Sequence, residues 1–377
     1  MAMMRAIGLM SGTSLDGVDI ALIETDGETI RVERGHNNFL APLGPTGYRG
    51  YAEDEKALLR AATKDAESVV RPDDRPGRLP EAEGFVTRAH AEAVEQFLAD
   101  NGLQPADIDV IGFHGQTVIH RPDHRISIQI GDGPALASRL GIAVVSDLRR
   151  ADIEAGGQGA PLVPVFHKAL AEAAGMEGPF GILNIGGVAN ATLVDSKGGV
   201  IAFDTGPGNS LIDEWMQERE GKNLDDGGRT AARGRPDEQL LAWLLTHPFF
   251  FRRPPKSLDR NWFSHKLAGQ LSTEDGAATL TAFTARAVAR ALDHAPEIPT
   301  RWIVAGGGAR NGELVRLLNY HLRAEIMTAD AIGWSSAYLE AQAFAYLAVR
   351  SMQGLPITFP ATTGVREPIS GGVLSRP

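Results

Sequence analysis

Over 377 residues the chain sets 37 lysines and arginines against 47 aspartates and glutamates, a formal net charge of −10, and 43% of its residues are hydrophobic. Such a length suits two domains of roughly 100–200 residues, each with its own core, while the acidic balance argues against an extended nucleic-acid or anionic-membrane footprint and still allows a local basic pocket. Cysteine is absent, which removes disulfides, thiolate metal sites and a thiol nucleophile.

The opening MAMMRAIGLM has one arginine and too short an apolar run for the core of a signal peptide. No run approaches the roughly 20 apolar residues of a membrane span, so a cytoplasmic location is expected. Ala6–Met10 and Val18–Ile23 are short, β-prone and separated by the turn residues SGTSLDG, which reads as strand, glycine turn, strand, with alternation resuming through Ile30-Arg-Val-Glu33. Because the turn joins two strands, neither a Walker loop nor a dinucleotide fingerprint fits, since each must open a helix. Residues 53–80 predict a surface helix and a proline-rich loop, and apolar spacing predicts a helix over 85–98 that stops at Asp100-Asn-Gly102. Asp109–Phe113 predicts a buried strand delivering HGQT (114–117) to a loop. Ser127–Ile130 and Ala143–Val145 predict further strands, the second delivering Asp147-Leu-Arg-Arg150, and the glycine-rich run 155–161 marks the expected domain boundary.

Beyond it the first pattern returns. Residues 181–194, GILNIGGVANATLV, are again strand, glycine turn, strand, which suggests an internal duplication. Ile201-Ala-Phe-Asp-Thr-Gly-Pro-Gly-Asn209, a helix-prone stretch from Ala277 to His294, and Trp302-Ile-Val-Ala-Gly-Gly-Gly308 leading into a helix complete an α/β alternation.

Four places carry candidate chemistry. In the first turn, backbone freed by Gly12 and Gly17 with the hydroxyls of Ser11, Thr13 and Ser14 could wrap a phosphate, Gly12 admitting a positive φ, and Asp16 could hold magnesium through water. An ordinary polar hairpin turn is the alternative. Asp204, placed after an apolar strand and before a glycine loop, reads either as a general base or as a cap for the helix that starts near Ser210. The three glycines of VAGGGARN permit close approach of a flat ligand or phosphate, or make a tight turn. Arg149 and Arg150 suit a carboxylate or phosphate, or a plain surface. His114 reads as structural, and neither HExxH nor GxSxG occurs.

In this order the motifs GLMSGTSLDGVD, GFHGQT, IQIGDGPALA, SDLRRADIEAGGQGAPLVP, LNIGGVAN, FDTGPGN, KSLDR, VAGGGARN and IGWSSAYLEAQAFAYLA resemble, nearly end to end, the anhydro-N-acetylmuramic acid kinases. The resemblance implies the actin, hexokinase and heat-shock-chaperone ATPase architecture: two ribonuclease-H-like domains with mixed sheets flanked by helices and an active site in the interdomain cleft. The expected division is 1–150, joined by the tail 365–377, and 151–364. It also implies a kinase of peptidoglycan recycling that uses ATP, Mg2+ and water to turn 1,6-anhydro-N-acetylmuramic acid into N-acetylmuramic acid 6-phosphate, with a homodimer as a candidate assembly. By the same resemblance Asp204 is the catalytic base and Glu340 an active-site glutamate. Gly12, Thr13, Ser14, Leu15, Asp16, Gly17, Val18 and Asp19 match the ATP phosphate segment, together with Gly206; Gly306, Gly307 and Gly308 match the adenosine side. Thr117 and Arg150 match sugar contacts, Arg150 facing the lactyl carboxylate. Asp132-Gly133 and Ala151 depart from the family pattern, the second where some relatives carry a third arginine.

Overall fold

The computed structural model describes residues 1–32, 43–259 and 262–377; Glu33 of the alternating run and Arg260 of KSLDR lie outside them. Twelve strands occur among the described residues. In chain order they are β1 (Met4–Ser11), β2 (Gly17–Thr25), β3 (Thr46–Gly50), β4 (Val110–Arg121), β5 (Ile126–Ile130), β6 (Val144–Ser146), β7 (Phe180–Ile185), β8 (Val188–Val194), β9 (Val200–Pro207), β10 (Arg301–Ala305), β11 (Glu325–Thr328) and β12 (Val373–Ser375). They form two sheets, ordered β12-β6-β4-β1-β2-β3 with β5 on β4, and β11-β10-β7-β8-β9.

The duplication expected from the repeated hairpin is visible in the topology. In each sheet three consecutive strands run antiparallel, and the first of them pairs on its other side with a parallel strand that is followed by another parallel one. The sequences β1-β2-β3-β4-β6 and β7-β8-β9-β10-β11 therefore trace one pattern. Helices occupy the connections, as the return to a parallel strand requires.

The chain divides into two compact units, Met1–Ala174 with Ala337–Pro377, and Gly175–Ser336. The boundaries expected at 150/151 and 364/365 differ from these because long-range packing holds 151–174 and 337–364 in the first unit. Buried Asp152 accepts hydrogen bonds from Gly159 N (2.6 Å) and Thr363 Oγ1 (2.5 Å), and Gln158 N donates to Thr363 O at 2.7 Å. The glycine-rich run is thus stitched down and does not act as a linker.

The helix Leu339–Met352 lies directly on β1 and β4, and the glycines of those strands make this contact possible. A Cβ on Gly8 would collide with the Ala341 carbonyl oxygen, and one on Gly112 with that of Phe344. Ile7, Leu9, Ile111 and Phe113, which alternate with these glycines, point to the opposite face and pack in one core with the helix Leu79–Asp100. That helix starts six residues before the expected 85, with Pro80 in its first turn, where the ring costs no hydrogen bond.

HGQT departs from expectation. It lies inside β4, which continues to Arg121, and does not form a loop. Gly115 at φ +70° and a register shift between Leu9 and Ser11 kink the strand, after which it pairs antiparallel with β5. We expect Gly112→Ala to lower stability by about 1–3 kcal/mol or more, the cost of forcing atoms into a filled core. Urea unfolding checks this; a midpoint unchanged from wild type would show that the helix can lift off the sheet.

Candidate functional site

In the first unit the β1–β2 turn is held by side chains that converge from three elements. Gly12 O accepts from Leu15 N (3.1 Å) and Gln116 Nε2 (3.2 Å), and Asp16 O accepts from Tyr51 N and the Tyr48 hydroxyl, both at 2.8 Å. Ser11 Oγ donates to Gln116 Oε1 at 2.6 Å and lies 2.9 Å from the Tyr51 hydroxyl. Burial pushes the Tyr51 phenol up to about 12, so it stays protonated as a hydrogen-bonding group. Gln116 and Tyr51 support the turn and do not stand out in the sequence, because only the fold brings them beside residue 11.

The two glycines of the turn serve different ends. The left-handed residue is Leu15, at φ +60°, so the positive φ that Gly12 could have admitted is not used there. A Cβ on Gly12 would meet only Ser14 Oγ at 3.7 Å, whereas one on Gly17 would collide with Arg49 O and sit 2.8 Å from the Tyr48 ring. Gly17 is explained by packing against β3. Gly12, flanked by exposed Thr13 and Ser14, leaves open backbone at the surface, and Val18 is buried in the sheet.

Carboxylates gather at the same end of the unit. Asp19, half-buried on β2, is pushed up to about 7 by burial, then by the Glu340 and Asp16 charges. Glu340, in the first turn of the helix Leu339–Met352, reaches solvent but is crowded by protein atoms; this raises its carboxyl, an effect the Arg149 guanidinium opposes. Among the described residues no group of three or more His, Cys, Asp or Glu side chains is arranged to hold a metal directly. The shared negative charge of Asp16, Asp19 and Glu340 nevertheless fits a cation carried in by a ligand and bound through water.

The adjacent arginines part company. Arg149 Nη1 donates to Gly159 O at 2.7 Å and Nη2 to His114 Nε2 at 3.0 Å, which leaves His114 Nδ1–H to donate to Gly115 O at 2.8 Å. Burial, reinforced by Arg149, holds His114 well below its ordinary value, so it is neutral and structural, as expected. Burial also lowers Arg149 to about 10, although Glu340 and Asp152 favour its charge. Arg150 instead pairs with Asp147 (2.6 Å) and Asp73 (3.5 Å) and lines a cavity of about 280 Å³ with Arg75, Glu83 and Gln129. Thr117 accepts from Gln129 Nε2 at 3.3 Å, which brings it beside a residue of that cavity. A sequence alone could not say which arginine of the pair turns toward Glu340; it is Arg149.

In the second unit three glycine turns form one knot. Gly208 N donates to Gly187 O (3.0 Å), Asn209 N to Gly186 O (2.8 Å) and Ser210 Oγ to Gly187 O (2.8 Å), binding the end of β9 to the β7–β8 turn. Gly306, at φ +79°, would set a Cβ 2.5 Å from Asn184 Oδ1, and one on Gly308 would lie 2.5 Å from Ile185. Gly307 is exposed and offers its backbone at the surface, with Asn209 Nδ2 at 3.2 Å from where a Cβ would be. Gly206 is buried at φ +157°, and the space of its missing side chain is taken by Ala287 at 2.8 Å, so backbone conformation and packing together account for that glycine.

Asp204 lies within β9, not after it, and the pairing with β8 skips Thr205. Such a bulge re-aims neighbouring side chains. Its Oδ2 accepts from Leu258 N at 2.8 Å, while the helix Ser210–Glu220 is preceded by Asn209, so the capping alternative falls away. Burial pushes Asp204 up to about 6, against the pull of that N–H and of Lys256.

Glycine turns at the ends of parallel strands, with a strand-borne carboxylate that burial raises to about 6, fit an α/β enzyme of acid–base and phosphate chemistry. The profile described as anhydro-N-acetylmuramic acid kinase matches residues 4–376. A protein of that name from Methylorubrum populi is 69% identical over 377 residues, covering all of both chains. Another from Methylobacterium nodulans is 70% identical over 374 residues, 99% of this chain and 100% of its own, and one from Rhodopseudomonas palustris is 54% identical over 376 residues and 100% of each. The chain belongs to the anhydro-N-acetylmuramic acid kinase family.

The two turn glycines give a direct check of the hairpin. Gly17→Ala is expected to cost about 1–3 kcal/mol of stability through its clash with β3, and Gly12→Ala to stay within about 0.5 kcal/mol of wild type. Thermal and urea unfolding of both variants would measure this; a destabilised Gly12→Ala would show that the turn has no room at that position.

Proposed function

We propose that this kinase opens the 1,6-anhydro ring of 1,6-anhydro-N-acetylmuramic acid with water while transferring the γ-phosphoryl group of ATP to the 6-oxygen, yielding N-acetylmuramic acid 6-phosphate and ADP. The observation that carries the reading is Asp204, a carboxylate held by Leu258 N and raised to about 6, on the strand that ends in the glycine knot. A base working near neutral pH needs a pKa in that region. Asp204 takes a proton from water as the water oxygen bonds to the anomeric carbon; the bond from that carbon to the 6-oxygen breaks, and the freed oxygen attacks the γ-phosphorus in line with the departing ADP. Membership of the family and the repeated strand order support two ribonuclease-H-like domains as the frame.

In this reading the open backbone at Gly12, Thr13 and Ser14 grips the ATP phosphates, and Gly307, with Gly306 and Gly308 holding its turn, lies under the adenosine. Asp16 and Asp19 would hold Mg2+ through water, relieving the crowding that raises Asp19 to about 7. Bound with ATP, magnesium would supply positive charge against that of the phosphates. Thr117 and Arg150 contact the sugar, and Glu340, kept near Arg149, borders the reacting groups.

Two experiments test these roles. Asp204→Asn is expected to lower turnover of the anhydro-sugar with ATP by about 100-fold or more, with ATP binding by calorimetry retained. Because the base acts as its carboxylate, wild-type kcat should fall as pH drops through about 6 and level off above it. Turnover of the variant within a few-fold of wild type would remove Asp204 from the proton transfer. Arg150→Ala is expected to raise KM for the sugar by roughly ten- to a hundred-fold, the loss of a charged hydrogen bond worth about 1.5–3 kcal/mol, with KM for ATP little changed. An equal rise in both would place Arg150 on the nucleotide.

A further inference from the structure

The proposed mechanism uses KSLDR only through the Leu258 N–H, yet Lys256 of the same motif also reaches Asp204. Asp204 N donates to Lys256 O at 3.0 Å, and Leu258 N donates to Asp204 Oδ2 at 2.8 Å. β9 is the edge of its sheet, so main chain 256–258 covers the edge at the aspartate itself. The Lys256 side chain is 7% exposed. Its ammonium lies 4.6 Å from the Phe249 ring centroid and 5.6 Å from that of Phe203, and it reaches Phe249 O at 3.3 Å and His294 Nε2 at 3.4 Å. His294 in turn stands edge-on to Phe203, the residue before the aspartate, with centroids 5.5 Å apart.

A buried cation surrounded by ring faces, a carbonyl and a neutral imidazole is expensive without a nearby anion. The charged groups that face it are few. Burial and Arg290 lower the Lys256 ammonium to about 8, Asp293 and Asp204 favour its charge, and Arg252 opposes it. Asp204 has the Leu258 N–H and the Lys256 charge acting against its burial. His294 is lowered chiefly by burial, then by Lys256, and so holds no competing charge at neutral pH.

We infer that Lys256 is a positioning residue for Asp204: a caged cation that keeps the aspartate a carboxylate, while the main chain of 256–258 fixes the direction of that carboxylate. The inference rests on the reading of Asp204 as the base. A purely structural lysine, filling space between Phe203 and Phe249, is the competing account.

Lys256→Met keeps the unbranched stem and removes the charge. The acid limb of its kcat profile is expected to move up by about one pH unit, with KM for ATP unchanged, and Lys256→Arg to bring the limb back. A folded Lys256→Met with a lower melting temperature and an unmoved limb overturns the inference. A second measurement needs only wild-type enzyme with carboxyl-13C aspartate, the Asp204 resonance being the one lost in Asp204→Asn. Coupling to the lysine predicts a second inflection of that resonance on the alkaline side, where Lys256 loses its proton; a single inflection overturns the inference even if Lys256→Met does not fold. The base reading fails separately, through turnover retained in Asp204→Asn, and the carbon titration still decides whether the lysine governs the carboxylate.

Discussion

The first unit depends on a contact made by absent atoms. Gly8 and Gly112 sit side by side on the paired strands β1 and β4, and because neither carries a Cβ, the carbonyls of Ala341 and Phe344 come within reach of the sheet backbone. The helix Leu339–Met352 is thereby fixed in both height and register. Its first turn brings Glu340 into the electrostatic range of Asp19 and Arg149, which lie on separate elements. A helix held off by ordinary side chains, at the usual spacing of about 10 Å between packed layers, would leave Glu340 displaced from that group. Close packing of the core and the charge arrangement at the surface are therefore one constraint.

That same contact explains where sequence reasoning ran out. The hairpins, the glycine turns and the strand carrying Asp204 were legible, because turn chemistry and β-prone runs are local signals. The unit boundary was not, since residues 337–364 return to the first sheet through contacts with residues more than 300 positions away, such as Arg350 with Gly27 O. HGQT looked like a loop because Gly115 and a polar run follow an apolar strand; the kinked strand recovers its pairing from β5, which lies ten residues on. The two arginines at 149 and 150 differ only in which way the short helix after β6 turns them, and nothing in their sequence sets one apart from the other.

Gly12 and Gly17 show how the candidate site divides between legible and hidden causes. Both read as freedom for the backbone, yet Gly17 is required by Tyr48 and Arg49 O on β3, and Gly206 by Ala287. Of the candidate nucleotide-side glycines, Gly12 has open space around a Cβ, and Gly307 is exposed with the Asn209 side-chain nitrogen 3.2 Å from where a Cβ would be. Residue type alone merges packing with ligand approach. Three-dimensional surroundings separate them, and they narrow twelve candidate nucleotide positions to a few whose backbone is available.

The two units share one strand order but set their acids in opposite ways. Asp19 is raised by burial and then by the neighbouring Glu340 and Asp16 charges. An incoming cation would offset those charges. Asp204 is raised by burial and drawn back by an N–H donor and a cation, all of them fixed parts of the protein. Equivalent hairpins and glycine turns thus set their carboxylates differently, and the difference comes from what the later chain lays against each sheet: Glu340 at the start of a helix on the first, the 256–258 segment along the edge of the second.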